Sequence, residues 1–203
     1  MLTIAYIKRK SNKIVHGVLK MFKETLIAQC SPTLAGLKTA NLFSYKTDKK
    51  NLISSIRQVN SKLVKNNVRL IFLKYQNSRA LLYMYRPDFL KRDLSDSLAA
   101  DILSEMEYPL DSAERCIMKL RQRINDSSDF PHEIGLFLGY PPVDVLGFIQ
   151  NKAKCAKCVG TWKVYGDVDE SQKKFDMYNK CTDCYLKDFR KHNSIDRLIV
   201  AVS

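Results

Sequence analysis

The spacing of apolar residues along the chain predicts a mixture of helices and strands. Residues 51–66 place leucine, isoleucine and valine three and four positions apart, which is the period of an amphipathic helix. The runs 68–75 (VRLIFLKY) and 79–86 (RALLYMYR) are rich in β-forming residues and are separated by a short polar segment, QNS. Two such runs joined by a polar turn predict a β-hairpin, and this is the strongest hairpin signal in the chain.

Further periodic stretches complete the predicted fold. A short helix over 22–29 should end before Pro32, because a proline disfavours helical backbone in the residue that precedes it. This order of elements favours an α+β domain, with a small mixed or antiparallel sheet, a central β-hairpin and helices packed on one side of it. The other predicted helices cover 88–107, 111–125, 132–139, 142–150 and 169–191, and the other predicted strands cover 41–46, 161–166 and 197–202.

The first twenty residues differ in charge from the rest of the chain. Residues 1–20 carry five lysines and arginines and no acidic residue, within a formal net charge of +13. An apolar patch precedes the basic cluster, whereas a secretory signal places its basic residues first. We therefore expect residues 1–20 to be a basic N-terminal extension, or an over-long reading of the start codon. Residues 21–203 are then expected to form a single domain.

Composition excludes several classes of protein. The chain has 203 residues, of which 45% are hydrophobic, so it is neither disordered nor of low complexity. A chain of this length can bury a core without disulfide bonds. No uninterrupted apolar run approaches the roughly 20 residues of a membrane-spanning helix. With no export signal in the sequence, we expect a basic cytoplasmic protein that has no membrane partner.

Four cysteines near the C-terminus form two pairs with metal-ligand spacing. Cys155 and Cys158 form one C-x-x-C pair, and Cys181 and Cys184 form another. Two such pairs in a cytosolic chain predict a four-thiolate zinc site, with an iron–sulfur cluster as a weaker alternative. Zinc would stabilise residues 151–203. The other interpretation is that one cysteine of each pair is buried and the other has no role.

Several segments together resemble one known family. They are 30–36 (CSPTLAG), 40–43 (ANLF), 131–141 (PHEIGLFLGYP), and Gly160 with 162–166 (WKVYG). They resemble the signatures of the domain of unknown function 3793 family, which is found mostly in clostridia and related anaerobes. The resemblance covers roughly residues 21–200. It implies no particular activity, cofactor or partner.

Three residues of these segments form a candidate catalytic group. Cys30 lies where a helix gives way to a loop, and a histidine that pairs with a thiol raises its thiolate content. His132 and Glu133 are two of the few ionisable residues in the apolar stretch 130–150. The alternative is that both residues lie in the first turn of a helix that follows Pro131, where an acidic side chain is favourable.

The same segments are poor in charge and rich in small residues, which is typical of a pocket wall. We therefore predict a small-ligand or thiol-dependent pocket formed by the Cys30 loop and the segment 132–140, and whether it supports catalysis stays open. The candidate ligand-binding residues are Ser31, Thr33, Lys38, Asn41, Tyr140, Trp162, Lys163 and Tyr165.

An alternative function is a non-enzymatic module that binds nucleic acid or protein and carries the Cys₄ zinc site. Residues 46–74 contain eight lysines and arginines, and three tyrosines (Tyr75, Tyr83 and Tyr85) lie on the predicted hairpin. Basic residues beside exposed aromatic rings can bind single-stranded nucleic acid by charge and stacking. The simpler interpretation is a solvated helix face with tyrosines in the core.

Overall fold

A computed structural model describes the backbone of residues 2–127 and 129–202, and the side chains of these residues from residue 17 onward. The architecture is α+β, as predicted. The helices are α1 (Leu2–Leu34), α2 (Lys49–Leu63), α3 (Pro87–Leu94), α4 (Ser97–Glu105), α5 (Ala113–Asp126), α6 (Ile134–Phe137), α7 (Pro142–Gln150) and α8 (Val168–His192). The strands are β1 (Ala40–Lys46), β2 (Arg69–Gln76), β3 (Arg79–Tyr85), β4 (Cys158–Val159) and β5 (Lys163–Val164).

The main sheet is antiparallel and contains the predicted hairpin. Its strand order is β1-β3-β2, with β3 paired to both neighbours. The turn between β2 and β3 places Asn77 and Ser78 at φ values of 51° and 57°. Two consecutive residues with positive φ are typical of a type I′ turn, whose twist matches that of the flanking strands.

Helices cover both faces of this sheet, so the prediction that they pack on one side is wrong. Ala80, Leu82 and Met84 of β3 pack in a cluster with α1, α2 and α8, while Tyr83 and Tyr85 pack in a second cluster with α3 to α7. The central strand is apolar at nearly every position because both of its faces are buried.

Helix α1 runs past Pro32, contrary to the prediction that it ends before this residue. Pro32 lies in the last turn, where its missing N–H removes only one helical hydrogen bond. The helix is closed by Gly36, which has φ +74°. The N–H of Gly36 donates to Thr33 O, and that of Leu37 donates to Pro32 O. This pair of bonds is a Schellman motif.

The chain also departs from the prediction at two other places. The helix predicted over 88–107 is divided into α3 and α4, because the Asp96 side chain accepts the N–H groups of Leu98 and Ala99 and begins a new helix. The strand predicted over 197–202 is absent from the described residues. In its place, the extended segment after a short 3₁₀ turn (Asp196–Leu198) donates the N–H of Val200 to Leu34 O.

Arg86 connects this C-terminal segment to the end of α1. Its side chain is buried, with Nε 2.7 Å from Thr33 O, and Nη2 2.7 Å from both Leu34 O and Val200 O. The carbonyl groups at a helix C-terminus carry partial negative charge, which favours a cation there. Arg86 therefore fixes the start of the loop that follows α1.

The structure shows no membrane-spanning helix: none of the helices in the part of the chain it describes combines the length and apolarity that crossing a bilayer requires.

Candidate functional site

The loop that follows one motif segment meets another motif segment at one cavity. The loop after α1 (36–39) and the segment 139–142 line a cavity of about 740 Å³, together with parts of α3 and α8. We call this cavity the Lys38 pocket. Gly139 has φ +71°, and a Cβ there would lie 2.7 Å from Thr39 Oγ1. Only glycine therefore allows the two segments to approach so closely.

Lys38 is the least usual residue of the Lys38 pocket. Its side chain is 4% exposed, and Nζ lies 5.0 Å from the ring centroid of Tyr140 and 5.9 Å from that of Tyr178. Within the described residues, Nζ has neither a hydrogen-bond acceptor nor a salt-bridge partner. Burial lowers the pKa of Lys38 to about 8, although the nearby Cys30 partly opposes this effect. The pocket therefore contains a largely buried cation beside two aromatic rings, whose Nζ is not among the polar atoms that are both fully enclosed and without a partner.

The acidic side chains of the Lys38 pocket are engaged elsewhere. Asp93 accepts a hydrogen bond from Thr39 Oγ1 and pairs with Arg92, whose Nη2 lies 2.7 Å from Asp93 Oδ1. Asp96 caps α4. Lys174 adds a second lysine to the lining. The excess charge of the pocket is therefore positive.

Cys30 is completely buried beneath the Lys38 pocket, in the cluster that joins α1 to the sheet. Burial raises the pKa of its thiol well above the ordinary value, and Lys38 only partly offsets this effect. The prediction of an exposed, activated thiol at a helix end is wrong, because α1 continues past Cys30 and covers it. The thiol is thus protonated and enclosed by apolar side chains.

His132 and Cys30 are not brought together. His132 lies on the segment that covers the opposite face of the sheet, where its ring packs edge-on against Phe148 with centroids 5.0 Å apart. Glu133 is buried, and its Oε1 accepts hydrogen bonds from Arg123 Nε at 2.6 Å and Tyr108 Oη at 2.8 Å. The Cys30–His132 nucleophile hypothesis is therefore wrong. Glu133 also lies one residue before α6 rather than in its first turn, and its carboxylate pairs with Arg123 instead of capping the helix.

Three other predicted ligand-binding residues, Ser31, Thr33 and Asn41, lie at the end of α1 and the start of β1. Ser31 Oγ donates to Ile27 O at 2.6 Å, within the helix. Thr33 Oγ1 donates to Asn41 Oδ1 at 2.7 Å. These side chains are used by intramolecular hydrogen bonds and do not line the Lys38 pocket. Their arrangement fixes the strand that leads out of the loop containing Lys38.

Three of the remaining predicted residues, Tyr140, Trp162 and Lys163, line a second, largely apolar cavity of about 370 Å³. We call it the Trp162 cavity. Tyr140 lines both cavities and stacks on Trp162 with centroids 4.9 Å apart. Lys163 also lines the Trp162 cavity, and its Nζ donates to Ala153 O at 2.7 Å. The Tyr165 ring packs against Gly147, where a Cβ would lie 2.5 Å from Tyr165 Cγ.

Asp144 is one of the site residues that the sequence pattern does not single out. It is buried. Its Oδ2 accepts a hydrogen bond from Trp162 Nε1 at 2.7 Å, and its Oδ1 accepts hydrogen bonds from the backbone N–H groups of Tyr165 and Gly166, both at 2.7 Å. Asp144 therefore holds the β5 region against α7 and fixes the indole ring. The available signal was an isolated acidic residue in the apolar stretch 130–150.

The four C-terminal cysteines lie in two separate elements. Cys155 is exposed in the loop before β4, and Cys158 packs beside the Trp162 cluster. Cys181 is half-buried and Cys184 is exposed on α8. Among the side chains that the structure describes, no three His, Cys, Asp or Glu residues are grouped as metal ligands. As placed, the cysteines do not form a four-thiolate cage, and the zinc site stays a prediction.

The predicted stacking surface for nucleic acid is not present on the hairpin. Tyr83 and Tyr85 are buried and stack on each other, with centroids 5.0 Å apart. Tyr75 donates its hydroxyl to Thr47 O at 3.1 Å. The reason is that helices cover both faces of the sheet. The basic residues of this region therefore lack the exposed hairpin tyrosines that stacking requires.

Comparison with known proteins identifies the family. A family model described as "Protein of unknown function (DUF3793)" matches residues 26–199, which is most of the chain. No curated protein and no solved structure matches the chain. The matched range contains both cavities and the motif segments around them. The chain therefore belongs to the DUF3793 family of proteins of unknown function.

Proposed function

We propose that this protein binds a small anionic molecule in the Lys38 pocket. The observation that carries the proposal is the placement of Lys38, a buried ammonium group that lines a cavity and has no carboxylate partner among the described residues. A buried charge is unfavourable unless it is paired. A carboxylate or phosphate group on a ligand would provide that pairing.

The size and lining of the Lys38 pocket favour a small molecule. Its volume of about 740 Å³ lies within the range of roughly 300–1,000 Å³ that ligand sites occupy. The Tyr140 and Tyr178 rings lie beside Lys38 and limit its contact with water. A charge-assisted hydrogen bond formed in such an environment is stronger than one in water.

The proposal is a binding function rather than thiol chemistry. Cys30 is buried with a raised pKa, and His132 lies on the other face of the sheet. The hydroxyl groups of the two nearby tyrosines are already used as donors: Tyr178 Oη donates to Leu37 O, and Tyr140 Oη donates to Thr161 O. These contacts favour recognition of a charged group over its chemical conversion.

The test is a binding titration of the full chain with inorganic phosphate, acetate and succinate, by isothermal titration calorimetry at low ionic strength. At least one of the three anions should bind saturably, and Lys38→Met should weaken it at least tenfold. Lys91→Met is the matched control, because Lys91 is an exposed lysine of α3 and its loss changes the net charge equally. Equal affinities in the two variants, or no saturable binding to the wild type, would contradict the proposal.

A second candidate is binding to single-stranded nucleic acid through α2. Lys49, Lys50 and Arg57 are exposed on this helix. Affinity for a single-stranded RNA oligonucleotide should then fall steeply with salt, and a Lys49→Gln, Lys50→Gln, Arg57→Gln variant should lose most of it. An affinity that is the same in wild type and variant would remove this candidate.

A further inference from the structure

The Trp162 cavity is built differently from the Lys38 pocket. Its walls include the rings of Tyr140, Phe148 and Trp162, and its rim includes Phe130 and Val159. Phe130 is 47% exposed and Val159 is 70% exposed. Large apolar side chains exposed around an apolar cavity are typical of a binding site, because an occupant would remove their surface from water.

The aromatic wall is already fixed in place. Trp162 Nε1 donates to Asp144 Oδ2, one face of the indole stacks on Tyr140, and Phe175 packs edge-on against it at a centroid distance of 4.5 Å. A side chain held on several sides loses little conformational freedom when a ligand binds. Flat aromatic walls favour a flat aromatic occupant through stacked and edge-on contacts.

Lys163 is the charged group of the Trp162 cavity that has donors left for an occupant, because the carboxylate of Asp144 is fully engaged. Asp144 is buried, and its two oxygens accept three N–H groups. The other ionisable residues of the lining are His132 and Lys163. Lys163 Nζ uses one donor for Ala153 O, and an ammonium group has three. Two donors of Lys163 therefore stay available for a carboxylate.

We infer that the Trp162 cavity binds a planar aromatic carboxylate, with its ring between Trp162 and Phe148 and its carboxylate at Lys163. This site is separate from the Lys38 pocket and shares only the Tyr140 wall with it. Its volume of about 370 Å³ suits a ligand of one or two rings.

Trp162 provides a direct readout, because it is the only tryptophan in the chain. The full chain labelled with ¹⁵N should show one indole N–H resonance, and 4-fluorobenzoate should shift it saturably. Cyclohexanecarboxylate, which has the same charge but no aromatic ring, should bind at least tenfold more weakly. The neutral 4-fluorobenzyl alcohol should also bind more weakly, because it lacks the charge that Lys163 would contact.

Variants separate this site from the Lys38 pocket. Phe148→Ala should weaken the binding of 4-fluorobenzoate at least tenfold. If this variant does not fold, Phe148→Leu is used in its place, because leucine retains the bulk without the ring. Phe89→Ala is the matched control, since Phe89 is another half-buried phenylalanine that lines the Lys38 pocket instead. Lys163→Met should weaken binding, whereas Lys38→Met should leave it within twofold.

Three results would overturn the inference. The first is an indole resonance that 4-fluorobenzoate does not shift, and the second is equal binding of cyclohexanecarboxylate. The third is binding that Lys38→Met abolishes and Phe148→Ala leaves unchanged, which would assign the carboxylate to the Lys38 pocket and support only the function proposed above.

Discussion

Two buried cations lie on either side of the turn that closes α1, and their surroundings are opposite in kind. Arg86 donates to four backbone carbonyl groups, two of them at the end of α1. Lys38 has only the rings of Tyr140 and Tyr178 beside its ammonium group. Arg86 is thus satisfied within the folded chain, whereas the residues that the structure describes provide Lys38 with neither a hydrogen-bond acceptor nor a carboxylate. The comparison separates a structural charge from one that a ligand would complete.

The largest effect is expected from Arg86→Met. The variant leaves the carbonyls of Thr33 and Val200 without these donors, so the free energy of unfolding should fall by about 3 kcal/mol. Arg190→Met is the control. Arg190 is exposed, and its Nε lies 3.6 Å from Glu24 Oε1 in a surface ion pair. Because such pairs contribute little, the free energy of unfolding should change by about 0.5 kcal/mol at most. Urea denaturation measures both variants. Equal losses would mean that Arg86 is not the structural cation of the pair.

Asp144→Asn should have the next largest effect. Asp144 resembles Arg86 in being buried and fully hydrogen-bonded. An asparagine presents one oxygen to three N–H donors and places its own amide group against them, so stability should fall by about 2 kcal/mol. Trp162 fluorescence should also shift to longer wavelength as the indole loosens. A variant with unchanged stability and emission would show that Asp144 does not hold β5.

Lys38→Met should instead stabilise the protein in the absence of ligand. Moving a lysine pKa from 10.5 to about 8 corresponds to about 3 kcal/mol against the charged form. Methionine removes this penalty but also loses the contacts between the ammonium group and the rings. We therefore expect the free energy of unfolding to rise by about 1.5 kcal/mol at pH 7. Urea denaturation of the ligand-free proteins checks the sign, and a clear loss of stability would indicate that Lys38 has a partner.

The difference in stability between the wild type and Lys38→Met should change with pH in a definite direction. Folded Lys38 releases its proton near pH 8, whereas the unfolded chain retains it up to about pH 10.5. The unfolded state therefore binds more protons between these values, and wild-type stability rises relative to Lys38→Met. The extra stability of Lys38→Met should be complete below pH 8 and should decrease towards pH 10.5. An advantage that does not change over this range would contradict the lowered pKa.

The smallest effect is expected from removal of residues 1–20. Arg86 contacts the C-terminal end of α1 and Lys38 follows that end in the chain, and the buried residues of this helix among those described begin at Phe22. A chain that starts at Met21 should therefore keep its melting temperature within a few degrees and retain the Lys38→Met gain. A large loss of melting temperature or solubility would show that residues 1–20 belong to the core.

The elements that depend on local pattern could be predicted from the sequence. The β2–β3 hairpin, α2 and α8 follow from periodicity and turn residues within one segment. The end of α1 could not be predicted in this way. Its last turn is completed by Gly36, Arg86 and Val200, which come together only in the folded chain.

The residues of the candidate site also differ in whether local sequence or tertiary packing determines their place. The sequence predicts Lys38 and Tyr140 as ligand-binding residues, Tyr140 from a motif segment and Lys38 from between two of them, and both line one cavity. Tyr178 was not predicted, because its position beside Lys38 depends on how α8 packs against α1. Cys30 was misjudged for a related reason, since a continuing helix buries a thiol that a loop would expose.

The pKa of Lys38, measured directly, tests the central claim. In ligand-free protein with ¹³C-labelled lysine, the Cε resonance that disappears in Lys38→Met reports the protonation of this one amine as pH is varied. A buried cation without a partner should titrate near pH 8, below the ordinary lysine value of 10.5. A Lys38 that titrates near that ordinary value would show that its charge is already solvated or paired, and would contradict the account.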